Sequence, residues 1–463
     1  MQGFIELINN LFQPLINLGA GPMMIVFITL IGLVFKVKFS KALESGVRLA
    51  VAIAGMGAVI GLIVQLMQPA LEAMVENTGI SLSVQDVGWA PVAGATWASP
   101  LTLVFLFVYL IINGVMLVLN KTKTLDVDIW NIWGTGFTAL MVMALTGNIF
   151  LTVLFVVVQT VLKLRNSDIM KPAINRILGT DDMNPTTTTH IMFLINPILF
   201  ALNQVLDLIP GLDKVDFDAK KLNAKAGFLG SKISIGIIVG IIIGVLGRLS
   251  FGDIITMAIG MGMCLELFAV VGGWFTTAMN PLSKGIAEFM TKRFGADKKL
   301  YIGIDWPFLA SRAELWAVAN ILAVVFLFIA LFLPGNEVLP LASIIALCLA
   351  APLLVITEGK MLRMLIIGTL ALPLFLWSST LLAEIITQMA VSTGAVDIAE
   401  GTLISNASGE APVFRMITYF ISDGFANGGR SLIMGVSGAI IYSGLWLNYE
   451  VGMKKKNKKL SGE

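Results

Sequence analysis

An all-helical polytopic membrane protein is the fold class this sequence predicts, and three observations predict it. The 463 residues are 57% hydrophobic and only 13% charged, about half the charge of a soluble domain. The apolar residues fall into runs long enough to cross a bilayer, whose hydrocarbon core of about 30 Å takes roughly 20 helical residues. Lys and Arg gather in every second connection between those runs, the pattern left by positive-inside insertion. With 31 Lys plus Arg against 29 Asp plus Glu the net charge is +2, which excludes a nucleic-acid binder with a broad basic face.

The elements follow in order. Residues 1–10 include Glu6 and no Lys or Arg, so they lack the charged start of a cleaved signal peptide and read as an amphipathic lead-in. Eleven stretches then meet the requirement that backbone amides in hydrocarbon be bonded within their own segment. They are 15–35, 49–67, 101–119, 132–145, 149–162, 233–249, 254–274, 315–333, 339–356, 361–382 and 432–447. No separate soluble domain is expected within 1–463, only polar connections near 166–187, 213–232 and 283–300 and a tail over 448–463.

Odd spans exit into basic segments. Lys36, Lys38, Lys41 and Arg48 follow the first, Lys121 and Lys123 the third, and Lys163, Arg165, Lys171 and Arg176 the fifth. Lys284, Lys292, Arg293, Lys298 and Lys299 follow the seventh, and Lys360 and Arg363 flank the exit of the ninth. The tail carries Lys454, Lys455, Lys456, Lys458 and Lys459. The opposite connections 68–100 and 390–414 have neither Lys nor Arg. An N-outside, C-inside chain in the cell membrane satisfies this distribution, with Arg248, Arg415 and Arg430 as exceptions.

The stretch 191–209 is apolar but lies between two basic segments; one crossing there would turn every later basic connection outward. A re-entrant hairpin with Pro197 at its turn keeps the pattern. Residues 302–310 are too short to span and read as a second re-entrant limb. An inverted-topology repeat needs a counterpart from the other face, and 411–421, apolar but for Arg415, is the candidate.

Charged groups at membrane depth mark pathways or partnered sites. Here they are Asp126, Asp128, His190, Glu266, Asp305, Arg312, Glu314, Glu358 and Glu384, with Asn131 beside them. Asp126, Asp128 and Asn131 share the run Leu125 to Trp133 with two indoles. Carboxylate and amide acceptors beside aromatic faces suit a polyhydroxylated ligand; the same residues also fit an interfacial aromatic belt with acidic helix caps. The mixture recurs at Asp86 to Trp89, at Trp97 and at Asp305 to Trp306. His190, the single histidine, follows four threonines. It reads as a satisfied interfacial residue, a donor to substrate or a proton-linked group.

No catalytic constellation emerges. Cys264 and Cys348 both lie in apolar stretches, far apart, which argues against a disulfide or a metal cluster. The histidine sits in no nucleophile triad and there is no phosphate-binding GxxxxGK[ST] loop. Transport without self-contained covalent chemistry or a cofactor is the expectation.

Four motifs in order give a family resemblance: VQDVGW (84–89) with TWAS (96–99), VDIWNIW (127–133), IGID (302–305) and LPGNEVLP (333–340). The chain resembles, over nearly its whole length, the membrane-embedded IIC subunits of the galactitol phosphotransferase system, within the ascorbate and galactitol group. The resemblance implies a homodimeric inverted-repeat, elevator-type transporter of about eleven transmembrane helices with two re-entrant hairpins. It also implies inward transfer of galactitol or a related polyol, phosphorylated at the cytoplasmic face by a separate IIB subunit fed through IIA. Matching position to motif, it places Asp86, Trp97, Asp128, Asn131 and Asp305 in the pocket and His190 near a hairpin. A partner bearing phosphate would dock on Lys292, Arg293, Lys298 and Lys299. A proton- or sodium-coupled symporter, with Asp126, Asp128 and Asp305 binding the ion, is the alternative; a receptor or scaffold would need no re-entrant elements.

Overall fold

The structure, a computed structural model, describes residues 20–78, 82–126, 128, 130–180, 186–212, 227–294, 300–340, 342, 348–394 and 401–461. The lead-in 1–10, most of the segment 213–232, and Lys298 and Lys299 therefore lie outside the described residues. The helices α1 (Ala20–Val34) and α2 (Phe39–Thr78) come first. Strand β1 (Val84–Asp86), α3 (Trp89–Ala98), α4 (Pro100–Val118), β2 (Thr124–Asp126), α5 (Trp133–Thr146) and α6 (Ile149–Leu178) follow. Strand β3 (Thr186–Thr188) then leads through a 3-10 segment, Ile191–Ile195, into α7 (Asn196–Leu206).

The second half runs α8 (Lys232–Leu246), α9 (Phe251–Phe294), β4 (Tyr301–Ile304), a 3-10 segment Trp306–Ser311 and α10 (Ala313–Phe332). It continues with β5 (Val338–Leu339), α11 (Ala350–Thr357), α12 (Met361–Ser392), β6 (Leu403–Ser405), α13 (Pro412–Asn427) and α14 (Arg430–Ser461). Among the described residues, α4, α6, α10, α12 and α14 are long and apolar enough to cross a membrane.

The six short strands form two parallel triplets, β5-β1-β6 and β2-β4-β3. Adding three to each strand of the first, counting cyclically, gives the second in the same order. The chain therefore contains its strand–helix arrangement twice, once before α8 and once from α8 onward. The helices agree: α2 and α9 each contain a proline thirty residues after their first residue, Pro69 after Phe39 and Pro281 after Phe251. Close packing within the second copy uses small residues, as membrane helices require. A Cβ at Gly236 would lie 2.6 Å from the Met261 carbonyl oxygen, and one at Gly240 2.7 Å from Ala258 Cα, so α8 lies backbone to backbone on α9.

Four expectations need correction. The run 339–356 is no single span: β5 ends at Leu339, and the described residues between it and α11, which begins at Ala350, are not helical. Pro197 lies in the first turn of α7, where its missing N–H costs nothing, and not at a hairpin tip. Lys163 and Lys171 do not lie in an open basic loop, because α6 continues to Leu178 and buries both. Cys348 occupies the turn before α11 and not an apolar helix.

Where α6, α11 and α14 end together, Glu358 accepts from Arg176 Nη2 at 2.9 Å and meets Lys456 Nζ at 3.0 Å. Burial pushes the Glu358 carboxyl up, but Arg176 and Lys456 outweigh it and hold it below its ordinary range. A depressed folded-state pKa gives stability that is present above the unfolded value of about 4.3 and lost as pH falls through the folded value. Glu358→Gln is therefore expected to lower thermal stability at pH 7 by about 1 kcal/mol or less. The gap from the unsubstituted protein should close below about pH 4; a gap that persists in acid would show that charge is not its source.

Candidate functional site

Parallel strands put all their carboxyl ends on one side, and the residues just beyond the strands carry the polar groups. Beyond β2 come Asp128 and Asn131, beyond β3 His190, beyond β4 Asp305, and beyond β6 Glu410. The two triplets meet at these ends. His190 Nε2 lies 3.3 Å from Glu410 Oε1 and 3.8 Å from Asp305 Oδ1. Asn131 Nδ2 donates to Asp128 Oδ2 at 2.7 Å, and Asp128 is within electrostatic reach of both His190 and Asp305. Asp128, Asn131, His190 and Glu410 are buried, whereas the Asp305 side chain is 42% exposed.

Local bonding orients each group. The His190 Nδ1 accepts from Met192 N at 3.2 Å, which assigns the neutral ring's proton to Nε2 and points that N–H at the two carboxylates. Asp305 Oδ1 accepts from Trp306 N at 2.7 Å and so caps the 3-10 segment that follows. Glu410 Oε2 approaches the first turn of α5, where a Cβ on Gly134 would lie 3.1 Å from it. A helix N-terminus favours a carboxylate there, and glycine makes the room.

Beneath this layer a further carboxylate, Asp126, joins neighbouring segments. Asp126 Oδ1 accepts from Thr189 Oγ1 at 2.8 Å and from Asp128 N at 2.9 Å, while Oδ2 accepts from Tyr109 Oη. Lys163 Nζ lies 3.0 Å from Asp126 Oδ2 and 4.7 Å from the centre of the Tyr109 ring, with both charged side chains at most 1% exposed. Asp126 thus ties the turn bearing Asp128 to the residue before His190.

Asp86 plays the corresponding part at the other triplet. Its Oδ1 accepts from Gly88 N at 3.1 Å and from Ala407 N at 3.0 Å, joining β1 to the loop that carries Glu410. Trp97 is fully buried in α3, whose Thr96 packs against Gly136 of α5. The structure therefore gathers Asp128, Asn131, His190 and Asp305 into one cluster and places Asp86 and Trp97 in the supports around it.

Sequence reasoning missed two contributors. Glu410 sits in a connection read only for its lack of Lys and Arg, and its one signal is its place directly before the short apolar segment 411–421. Arg415 is 2% exposed, lies 3.9 Å from Glu410 Oε2 and stacks over Phe137 at 4.6 Å and Trp133 at 5.8 Å. Cys348 also comes close, within reach of Trp306.

Chemically the cluster offers carboxylate acceptors at Asp128, Asp305 and Glu410, and donors at His190 Nε2, Asn131 and Arg415. Such a mixture can hold vicinal hydroxyls, each of which both donates and accepts. Among the described residues no group of His, Cys, Asp and Glu is arranged to hold a metal ion.

Comparison with known proteins bears on the chain as a whole. A family model described as EIIC-GAT, PTS system sugar-specific permease component, matches residues 15–399. A protein of Escherichia coli (strain K12) whose name refers to a permease IIC component is 27% identical over 450 residues, covering 96% of this chain and 99% of its own. The galactitol-specific EIIC components of PTS systems from E. coli K12 and E. coli O157:H7 are each 26% identical over 407 residues, 88% of this chain and 89% of theirs.

Proposed function

The chain belongs to the EIIC-GAT family, the sugar-specific permease components of PTS systems, and from that premise we propose that it carries galactitol or a related polyol inward for phosphorylation by a separate IIB subunit. The single observation that supports a polyol is the convergence of Asp128, Asp305, Glu410 and His190 where the two strand triplets end. An uncharged ligand rich in hydroxyls satisfies those acceptors and donors without burying further charge. The galactitol-specific relatives support the choice of hexitol.

The doubled architecture supports an elevator-like movement of the inner elements, and the basic segments that alternate along the sequence support an N-terminus outside and a C-terminus in the cytoplasm. The family resemblance supports a homodimer. Binding of tritiated galactitol to the purified protein, with unlabelled hexitols and pentitols as competitors, tests the substrate. The reading expects saturable binding displaced best by galactitol; equal displacement by an unrelated sugar acid would contradict it.

For the IIB partner we favour the cavity of about 580 Å³ between α7, the start of α12 and the end of α14. Lys360, Lys455, Lys456 and Lys459 line it, giving cationic charge for a phosphorylated partner, and α7 leads from it directly to the His190 segment. Of the docking residues expected from the sequence, Lys292 lines a different cavity. Lys455→Glu with Lys459→Glu is expected to slow partner-dependent phosphorylation about tenfold or more while galactitol binding persists. If binding and phosphorylation fall together, the docking assignment is wrong.

A further inference from the structure

A cavity of about 620 Å³ lies where α1 turns into α2 and both pass α9 beyond Pro281. Lys36, Lys38, Lys41, Lys284 and Lys292 line it, against one carboxylate, Glu288. Lys41 also reaches Glu44 at 3.1 Å; even so, cations are in clear excess. Like charges gathered this closely repel one another unless an anion joins them.

The corner is built, not loose. Val37 N donates to the Gly32 carbonyl at 2.8 Å and closes α1, with Lys36 in left-handed backbone at φ 61°. Val37 then seats on α9 so closely that a Cβ at Gly285 would lie 2.5 Å from its Cγ2. That contact holds Lys36 and Lys38 of one element beside Lys284 and Lys292 of the other.

The surroundings decide what kind of anion fits. The cavity has an apolar side formed by Phe35, Val37 and Phe289, the two rings edge to face at 5.7 Å. Leu30, Leu33, Val34 and Phe39, on the same corner, are 44 to 59% exposed, and in a membrane-spanning chain such side chains meet acyl tails. A free phosphate or a soluble phosphoprotein would use the ammonium groups and leave this apolar strip idle. A ligand with a phosphate head and acyl tails uses both.

We propose that this corner is a binding site for an anionic phospholipid. The phosphate lies among Lys36, Lys38, Lys284 and Lys292, and the tails run along Leu30, Leu33, Val34 and Phe39. The cavity shares no lining residue with the carboxylate cluster, and the proposal stands whether or not galactitol is the substrate.

Native mass spectrometry of the whole purified protein, titrated with phosphatidylglycerol or phosphatidylcholine, tests it. The unsubstituted protein is expected to retain phosphatidylglycerol preferentially. Lys36→Gln, Lys284→Gln and Lys292→Gln together should weaken that retention by at least about tenfold, while the matching Lys→Arg triple variant keeps it. Equal retention by the Gln triple variant and the unsubstituted protein would overturn the proposal. So would displacement of the lipid by millimolar inorganic phosphate or glycerol phosphate, which would mark a plain anion site. Loss of partner-dependent phosphorylation with lipid retention unchanged would overturn it in favour of a protein partner. If the Gln triple variant fails to fold, the single substitution Lys292→Gln must show a graded loss or the proposal falls.

Discussion

Lys163→Met is expected to destabilise the protein by about 3 to 5 kcal/mol, because it leaves Asp126 buried and charged without its cation. The ammonium sits 3.0 Å from Asp126 Oδ2, and neither side chain has more than 1% exposure. Asp126→Asn alone strands the ammonium and should cost a similar amount. The double variant, Asp126→Asn with Lys163→Met, removes both charges and keeps the amide oxygen that Thr189 and the Asp128 backbone N–H need. It should recover most of the loss. Thermal unfolding of the four proteins in one detergent measures the coupling. Additive losses would mean that the two charges do not act as a pair.

Asp128→Asn and Asp305→Asn are expected to weaken polyol binding ten- to a hundredfold each, from about 1.5 to 3 kcal/mol for a charge-assisted hydrogen bond. Asparagine keeps the shape at both positions. It can still accept from Asn131 at position 128 and from Trp306 N at position 305, so the fold should survive and the loss should appear in affinity alone. Glu410→Gln, beside His190 at 3.3 Å, belongs to the same series. Unchanged affinity in both aspartate variants would remove them from the site.

How far the sequence carried these conclusions depends on the signal each element leaves. Long apolar runs such as that of α4 and α10 are legible because every residue of a span must tolerate lipid, and α4 and α10 begin and end within a few residues of the expected bounds. Apolar character alone cannot tell a span from a strand followed by a short buried helix. The run 339–356 is such a case: β5 pairs with β1 and ends before Pro340, and among the described residues of the run only those of α11 are helical.

Charge misled in the opposite sense. Lys163 and Lys171 look like loop residues in a string of letters, but α6 carries them into the core, where Asp126 and Asn175 receive them. Strands of two to four residues leave almost no pattern, so the triplets were invisible until their pairing was seen. The repeat is likewise hidden in the residues and plain in the order of elements, because topology tolerates substitutions that erase sequence likeness. Asp128, Asn131 and Asp305 stand out in the sequence because carboxylates and an amide beside indoles in apolar surroundings are costly and need a reason, and the structure brings the three together. Glu410 left no such signal, since its partner His190 follows β3, far away in sequence.

Uptake of radiolabelled galactitol tests the central claim most directly, in cells that lack other polyol carriers and express this chain with or without its cognate IIA and IIB subunits. The account expects label to accumulate only when both partners are present, and to be recovered as the phosphate ester. Free galactitol accumulating without the partners, and lost on adding an uncoupler, would contradict it and identify an ion-coupled symporter.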